Sequence, residues 1–412
     1  MKANRLSLAH SQVAVLWLPM AALAAVYGSI TLSWVVYRVH LAEVVTQLGF
    51  APTFAPQLLL IETLLAIALE PLAGQLSDRL QQQRRNRFPL IWVGVILTAA
   101  LFVIIPLIAM EIQAVPSVQS IRWVLVGLLI LWAIAIGILR SPALALLRHY
   151  AATVRLPQAA SLLTLAAGLA GATTPLGTPA LKELGYGITF VVAAILLVVT
   201  VGLLKLFNRS VVTPAETLED AVALTSPSLA SLGLIFGIGA TVTLVFRLAI
   251  EIFPKVLKTQ LPDVNPPLIM GLMFLTIAAF AVPAGLIAVR VGNSRAMLVG
   301  LGAIAALLVL LKLTVSLPVA MGLAMGLGIA YSLVSNGTFP LVLSVLSPRH
   351  AGLAIGLFFG GAAAAVSAFS IVFGTPEALT VTTGIWLGLV SLLGAAICVI
   401  ALKPKHTTAA NY

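Results

Sequence analysis

Two carboxylates stand inside one long apolar run: Glu62, near its middle, and Glu70, about two turns further along if the run is helical. A charge in hydrocarbon is costly, so an acid there is a candidate for chemistry by default. A carboxyl group can shed its charge by taking up a proton, and binding and releasing that proton during a conformational cycle is a means of coupling. A plainer role is open to both: Glu62 accepting hydrogen bonds from a neighbouring helix, and Glu70, beside Pro71, bracing one end of the run. Arg247 and Glu251 lie four residues apart in a later run, on one helix face and close enough to pair. Arg247 holds either the anionic group of a ligand or, snorkelling from the outer third of its run, its own glutamate. Uncharged candidates are Tyr27, Ser29, Thr31, Thr241, Thr243, Tyr331, Ser332, Ser335 and Asn336. Ser and Thr in such runs often bond their own backbone. Asn336-Gly337, close to Pro340, reads as a helix interruption whose freed backbone groups must face protein, water or ligand.

Enzyme chemistry finds no foothold. His10, His40, His149, His350 and His406 fall in no zinc-binding spacing, and no Gly-Lys-Ser/Thr loop cradles a phosphate. The lone cysteine, Cys398, excludes an internal disulfide and a cysteine metal site. The expectation is a protein that is not an enzyme and carries no cofactor or metal.

The elements that position these residues follow from composition. With 61% hydrophobic and 8% charged residues among 412, the chain belongs in a bilayer. About 20 apolar residues span the hydrocarbon as a helix. Twelve such stretches are present, at 12–36, 55–77, 89–110, 121–140, 157–181, 186–207, 229–254, 266–289, 295–312, 317–341, 350–373 and 380–402. They are continuous and lack the alternation of a membrane barrel, so helices are expected. The run after Lys2 and Arg5 is long enough to span and reads as the first helix.

With both termini inside, most of the 23 Lys and Arg residues fall in cytoplasmic loops, while Arg38, Arg122, Lys182, Lys255, Lys258 and Lys312 fall outside. The formal charge of +11 is then a topology signal directed at anionic lipid and calls for no nucleic acid. The expected location is the inner (plasma) membrane, multi-pass, with both termini cytoplasmic.

The chain also repeats itself. Gly74-Gln75-Leu76-Ser77-Asp78-Arg79, followed by Arg84, Arg85 and Arg87, closes the second stretch, and an eroded copy, Gly285-Leu286-Ile287-Ala288-Val289-Arg290, closes the eighth. Arg140-Ser141-Pro142 after the fourth stretch is answered by Thr338-Phe339-Pro340 in the tenth. A polar linker at 208–228, with 214–222 suited to an amphipathic interfacial helix, divides a 1–207 unit from a 229–412 unit.

Duplicated six-helix halves with short basic turns resemble the major facilitator superfamily across nearly the whole chain. The family's signature after its second helix is matched by Gly74, Leu76, Ser77, Asp78, Arg79, Arg84 and Arg85. The second copy departs from it with Val289 in place of the acid, and Gln81-Gln82-Gln83 is an insertion. The stretch from Glu70-Pro71 to Gly94 is similar to two branches, the glycoside–cation symporters and the light-harvesting pigment-delivery proteins. Glycines 168 and 171 before Pro175 look like an antiporter pattern or simple close packing.

The resemblance implies an all-α membrane protein of 12 transmembrane helices in two six-helix bundles that rock about a central cavity. It also implies a secondary transporter of a small solute, monomeric, with the proton as coupling ion. The alternative it carries is a delivery factor for a chlorophyll-type pigment, which a low charge content in the cavity helices would suit. Gate roles are implied for Gly74, Asp78, Arg79, Arg84, Arg85, Arg140, Gly285 and Arg290. Substrate or coupling roles fall to Glu62, Glu70, Tyr27, Arg247, Glu251, Tyr331 and Asn336.

Overall fold

The computed structural model describes residues 15–114, 121–208, 227–374 and 378–402. Nearly all of the expected linker, the segment 214–222, and Lys2, Arg5, His10, Arg209, Lys403, Lys405 and His406 lie outside the described residues.

Helices account for the fold: α1 (Trp17–Gln47), α2 (Phe54–Arg84), α3 (Phe88–Ala114), α4 (Ile121–Ala145), the single turn α5 (Leu147–Tyr150), α6 (Leu156–Asn208), α7 (Leu229–Gln260), α8 (Pro266–Val291), α9 (Asn293–Leu310), α10 (Leu317–Val345), α11 (Ala351–Val372) and α12 (Val381–Ala401). Among the described residues there is no strand, only an isolated bridge between Val15 and Ala151. Among the described residues, eleven stretches are long and apolar enough to cross a bilayer, with all of α6 counted as one. The chain is an integral, multi-pass, all-α membrane protein.

α6 holds two crossings. Its 53 residues break at Gly185, whose φ of 74° is open to glycine and strained for other residues. Ala166 before the break packs on Gly28, and Thr200 after it shares a 3.0 Å hydrogen bond with the adjacent Ser29. Both arms therefore run along the same level of α1, and the chain folds back at Gly185.

Several helices outrun their apolar stretches. α1 continues past residue 36 through Arg38, His40 and Glu43 to Gln47, so Arg38 is a helical residue and not part of an outer loop. A helix satisfies its own backbone groups at membrane depth where a loop would not, and His40 Nδ1 and Glu43 Oε2 meet at 3.1 Å. The three glutamines 81–83 add a turn to α2, which ends at Arg84, and the chain reverses at Arg85 with φ 49°. The tight turn thus lies at Arg85–Arg87, beyond Arg79. Arg140 does not end α4, which runs on through Pro142 to Ala145.

α10 is likewise unbroken from Leu317 to Val345, so the expected interruption at Asn336-Gly337 does not occur. Neighbouring helices brace that stretch instead. The Asn336 amide donates to the Ala281 carbonyl of α8, and Asn293 Nδ2 of α9 donates to the Gly337 carbonyl at 2.8 Å.

In the first half α1 packs on both arms of α6, and α4 on α2 and α3. In the second half α7 packs on α11 and α12, and α10 on α8 and α9. The two main seams between the halves are α2 against α11 and the first arm of α6 against α8. Lipid offers little hydrophobic drive to helix association, so these seams depend on close van der Waals approach, which small residues permit. Gly74 meets Gly352 in one seam, and Gly285 meets Pro157 and Ser161 in the other. The two copies of the repeated motif thus place a glycine at equivalent points of the two seams.

Candidate functional site

A cavity of about 410 Å³ lies between the halves. One face of α1 lines it with Tyr27, Thr31, Trp34 and Arg38, spaced as successive turns of a helix require. Arg38, the residue that ended the apolar stretch in the sequence, is exposed toward this space. Its guanidinium carbon lies 5.5 Å from the Trp34 ring centroid. α2 contributes Glu62, Thr63 and Glu70, and the second half contributes Thr243 and Phe246 of α7, Phe274 of α8, Tyr331 and Ser335 of α10, and Phe358 and Phe359 of α11. With Arg38, Glu62, Glu70 and Arg140 all lining it, the cavity is not poor in charge.

Glu62 is 3% exposed and accepts a hydrogen bond from the Tyr37 hydroxyl of α1, while its Oε2 has no partner among the described residues. Tyr37 is held in turn by stacking on Trp132 at 4.3 Å between centroids. Glu70 is not solitary either. Arg140 of α4 donates to its Oε1 from both Nε, at 3.1 Å, and Nη2, and Ser141 Oγ donates to Oε2 at 2.6 Å. The Arg140 guanidinium lies over the Phe359 ring at 3.8 Å, a cation–π contact from the first half to the second. Tyr27 meets Phe339 edge-on at 5.9 Å, and Phe339 meets Phe358 at 5.5 Å. Aromatic rings and the Glu70–Arg140 pair thus form the cavity floor.

Below that floor the halves are tied together. Asp78 Oδ1 and Oδ2 accept 2.8 Å hydrogen bonds from the backbone N–H groups of Gly352 and Leu353, in the first turn of α11, where unpaired amides and the helix dipole favour an anion. The partner of Asp78 within its own half is Arg87, whose Nη1 sits 2.8 Å from both Asp78 Oδ1 and Ser77 Oγ. Arg148 donates to the Leu343 carbonyl of α10, and Gln82 Nε2 to the Arg349 carbonyl at 3.3 Å. Arg79, Arg84, Arg85 and Arg290 are exposed. This end of the cavity is closed.

Toward the other end, Thr63 and Ser367 share a 2.9 Å hydrogen bond between α2 and α11. Arg247 pairs with Glu251 at 3.4 Å and lies 4.9 Å from the Phe369 ring centroid. Arg247, Glu251 and Asn336 are not among the lining residues, whereas Tyr27, Glu62, Glu70, Arg140 and Tyr331 are. Tyr331 is 3% exposed and its hydroxyl has no partner among the described residues. Arg38, Arg148, Phe339, Phe358 and Phe359 were given no site role in the sequence, and Arg87 was named there only among the basic residues of the turn. A helical stripe of Tyr27, Thr31, Trp34 and Arg38 was the signal available for the first of them.

The same architecture recurs in solved structures. A bacterial homologue of the iron transporter ferroportin, in an outward-facing state, superposes with a TM-score of 0.73 at 16% identity, over 93% of this chain and 98% of that one. The proton:xylose symporter XylE, bound to 6-bromo-6-deoxy-D-glucose, gives 0.64 at 13% identity over 92% and 94%. The human organic anion transporter MFSD10 gives 0.60 at 15% identity over 92% and 99%. No protein-family model matches the sequence, and no curated protein matches it. At these identities the likeness shows the fold alone: the chain shares the all-α membrane architecture of these transporters.

Proposed function

We propose that this protein is a secondary transporter that carries a small solute across the inner (plasma) membrane by alternating access, as a monomer. The observation that carries the reading is the cavity between the halves, sealed at the Asp78 end by side chains of one half on backbone of the other. Such ties can be broken and remade without unfolding either bundle, which is what a rocking cycle requires. The basic residues of the Asp78 end favour the cytoplasmic side for it in this reading. The state described is then outward-facing.

The proton is the coupling ion in this reading, and Glu62 is its site. A buried carboxylate needs either a cation close by or a proton of its own, and a change of access can exchange one for the other. Glu70 is already satisfied by Arg140 and Ser141 and serves the floor. The test is proteoliposomes holding a pH-reporting dye, offered a panel of solutes. Proton movement that begins only when one solute is added supports the reading, and a solute that accumulates with no proton flux removes the proton from it.

A further inference from the structure

Within the cavity, Arg38 is the charge left without an ionic partner. Glu70 and Arg140 neutralise one another, Glu62 is held by Tyr37, and Arg38 makes no ion pair among the described residues. Arg247 and Glu62 both act on it electrostatically without pairing with it, and Arg247 is already paired with Glu251. Against a cationic ligand, Glu70 is gripped from α4, and Glu62 is 3% exposed with one oxygen held by Tyr37, whereas Arg38 is open to the space.

The space beside Arg38 has a definite shape. From Tyr27 at the floor to Arg38, eleven residues of α1 rise about 16 Å. Trp34 stands between them on α1, and the cavity is also lined by Phe246 of α7 and Phe274 of α8, which pack edge-on at 5.8 Å. A ligand rich in hydroxyl groups would leave many of them against these rings, at a cost for each unpaired one. One hydroxyl, that of Tyr331, is buried without a partner on this wall.

We propose that the cavity binds an organic anion, with its acidic group on Arg38, its flat or aromatic body between Trp34, Phe246 and Phe274, and the Tyr331 hydroxyl on a polar atom of that body. This names the solute class for the transporter reading and rests on it for its role, while binding itself is measured without transport. Arginine suits the task because its planar fork can hold a carboxylate through two parallel hydrogen bonds.

The test is calorimetric titration of the purified protein with phenylbutanoate, phenylbutanol and phenylbutylamine, three ligands that share a body and differ in charge. The acid should bind at least about tenfold tighter than the alcohol, the advantage of a charge-assisted bond, and the amine should bind most weakly. Arg38→Gln should erase the preference for the acid, and Arg38→Lys should keep part of it. Equal binding of acid and alcohol by the unaltered protein, absence of binding by the acid, or an Arg38→Gln variant with unchanged acid affinity would overturn the proposal. The comparison of the three ligands stands even if Arg38→Gln does not fold. Counterflow of labelled phenylbutanoate in proteoliposomes separates the two readings: binding without counterflow refutes the transporter and leaves the anion site.

Discussion

Gly74 of α2 and Gly352 of α11 pack backbone against backbone, so that a β-carbon on either would collide with the carbonyl oxygen of the other. The seam between the halves therefore closes here only because neither residue has a side chain. Gly74→Val should fold, since each bundle keeps its own packing, but it should hold the seam apart. Overpacking of about 1–3 kcal/mol shifts a two-state equilibrium by roughly 5- to 150-fold. A cysteine at Ser335, in a Cys398→Ser background, should become more reactive toward a reagent applied from the Asp78 side. Unchanged reactivity would show that the seam is not the gate.

Asp78 joins three groups: Arg87 in its own half and two α11 amides in the other. Asp78→Asn keeps the size and one acceptor but leaves Arg87, 1% exposed, without its counter-charge. We expect a folded, inserted protein whose counterflow rate falls at least about tenfold, because losing charged hydrogen bonds of about 1.5–3 kcal/mol unbalances the two access states. Counterflow at the normal rate would remove Asp78 from the gate.

Glu70 and Arg140 make a separable prediction about stability. Removing the arginine strands a carboxylate that is 1% exposed, and a broken buried pair costs about 3–5 kcal/mol. Arg140→Ala should lower the melting temperature in detergent, and adding Glu70→Gln should recover much of the loss. If the double variant melts no higher than Arg140→Ala, the pair is not what stabilises the floor.

These tests fall on residues that were unequally legible in the sequence. The apolar stretches and the repeat exposed the helices and the Gly74 and Gly285 seams, because hydrophobic length and small-residue spacing are local properties. Arg38 was misplaced for the same reason: a charge ends a hydropathy run whether it enters a loop or turns into a cavity, and only the neighbouring helices distinguish the two. Asp78 stood out by motif, yet its partner Arg87 lies beyond a turn whose position depended on three glutamines staying helical. The floor needed Tyr27, Arg140, Phe339 and Phe359 to meet from four separate helices, which no local spacing records.

Sidedness can be checked at two solvent-exposed points. Arg84 is the last residue of α2, at the basic turn, and Val315, 75% exposed, lies between α9 and α10. Cysteines there, again in the Cys398→Ser background, should differ in labelling by an impermeant reagent applied to intact cells. Position 315 should react, and position 84 should react only after permeabilisation. External labelling at 84 would invert the topology and turn the described state inward-facing.

The measurement that bears most directly on the account is a pair of assays on Glu62→Gln. If Glu62 takes up and releases the coupling proton while the halves rock about the cavity, a side chain that cannot titrate should abolish uptake driven by a pH gradient. Counterflow requires no net proton movement and should continue at a rate close to that of the unaltered protein. Gln keeps an acceptor for the Tyr37 hydroxyl, so packing against α1 is preserved. Gradient-driven accumulation by Glu62→Gln would contradict the account outright, and equal loss of both activities would assign Glu62 to binding or packing in place of coupling.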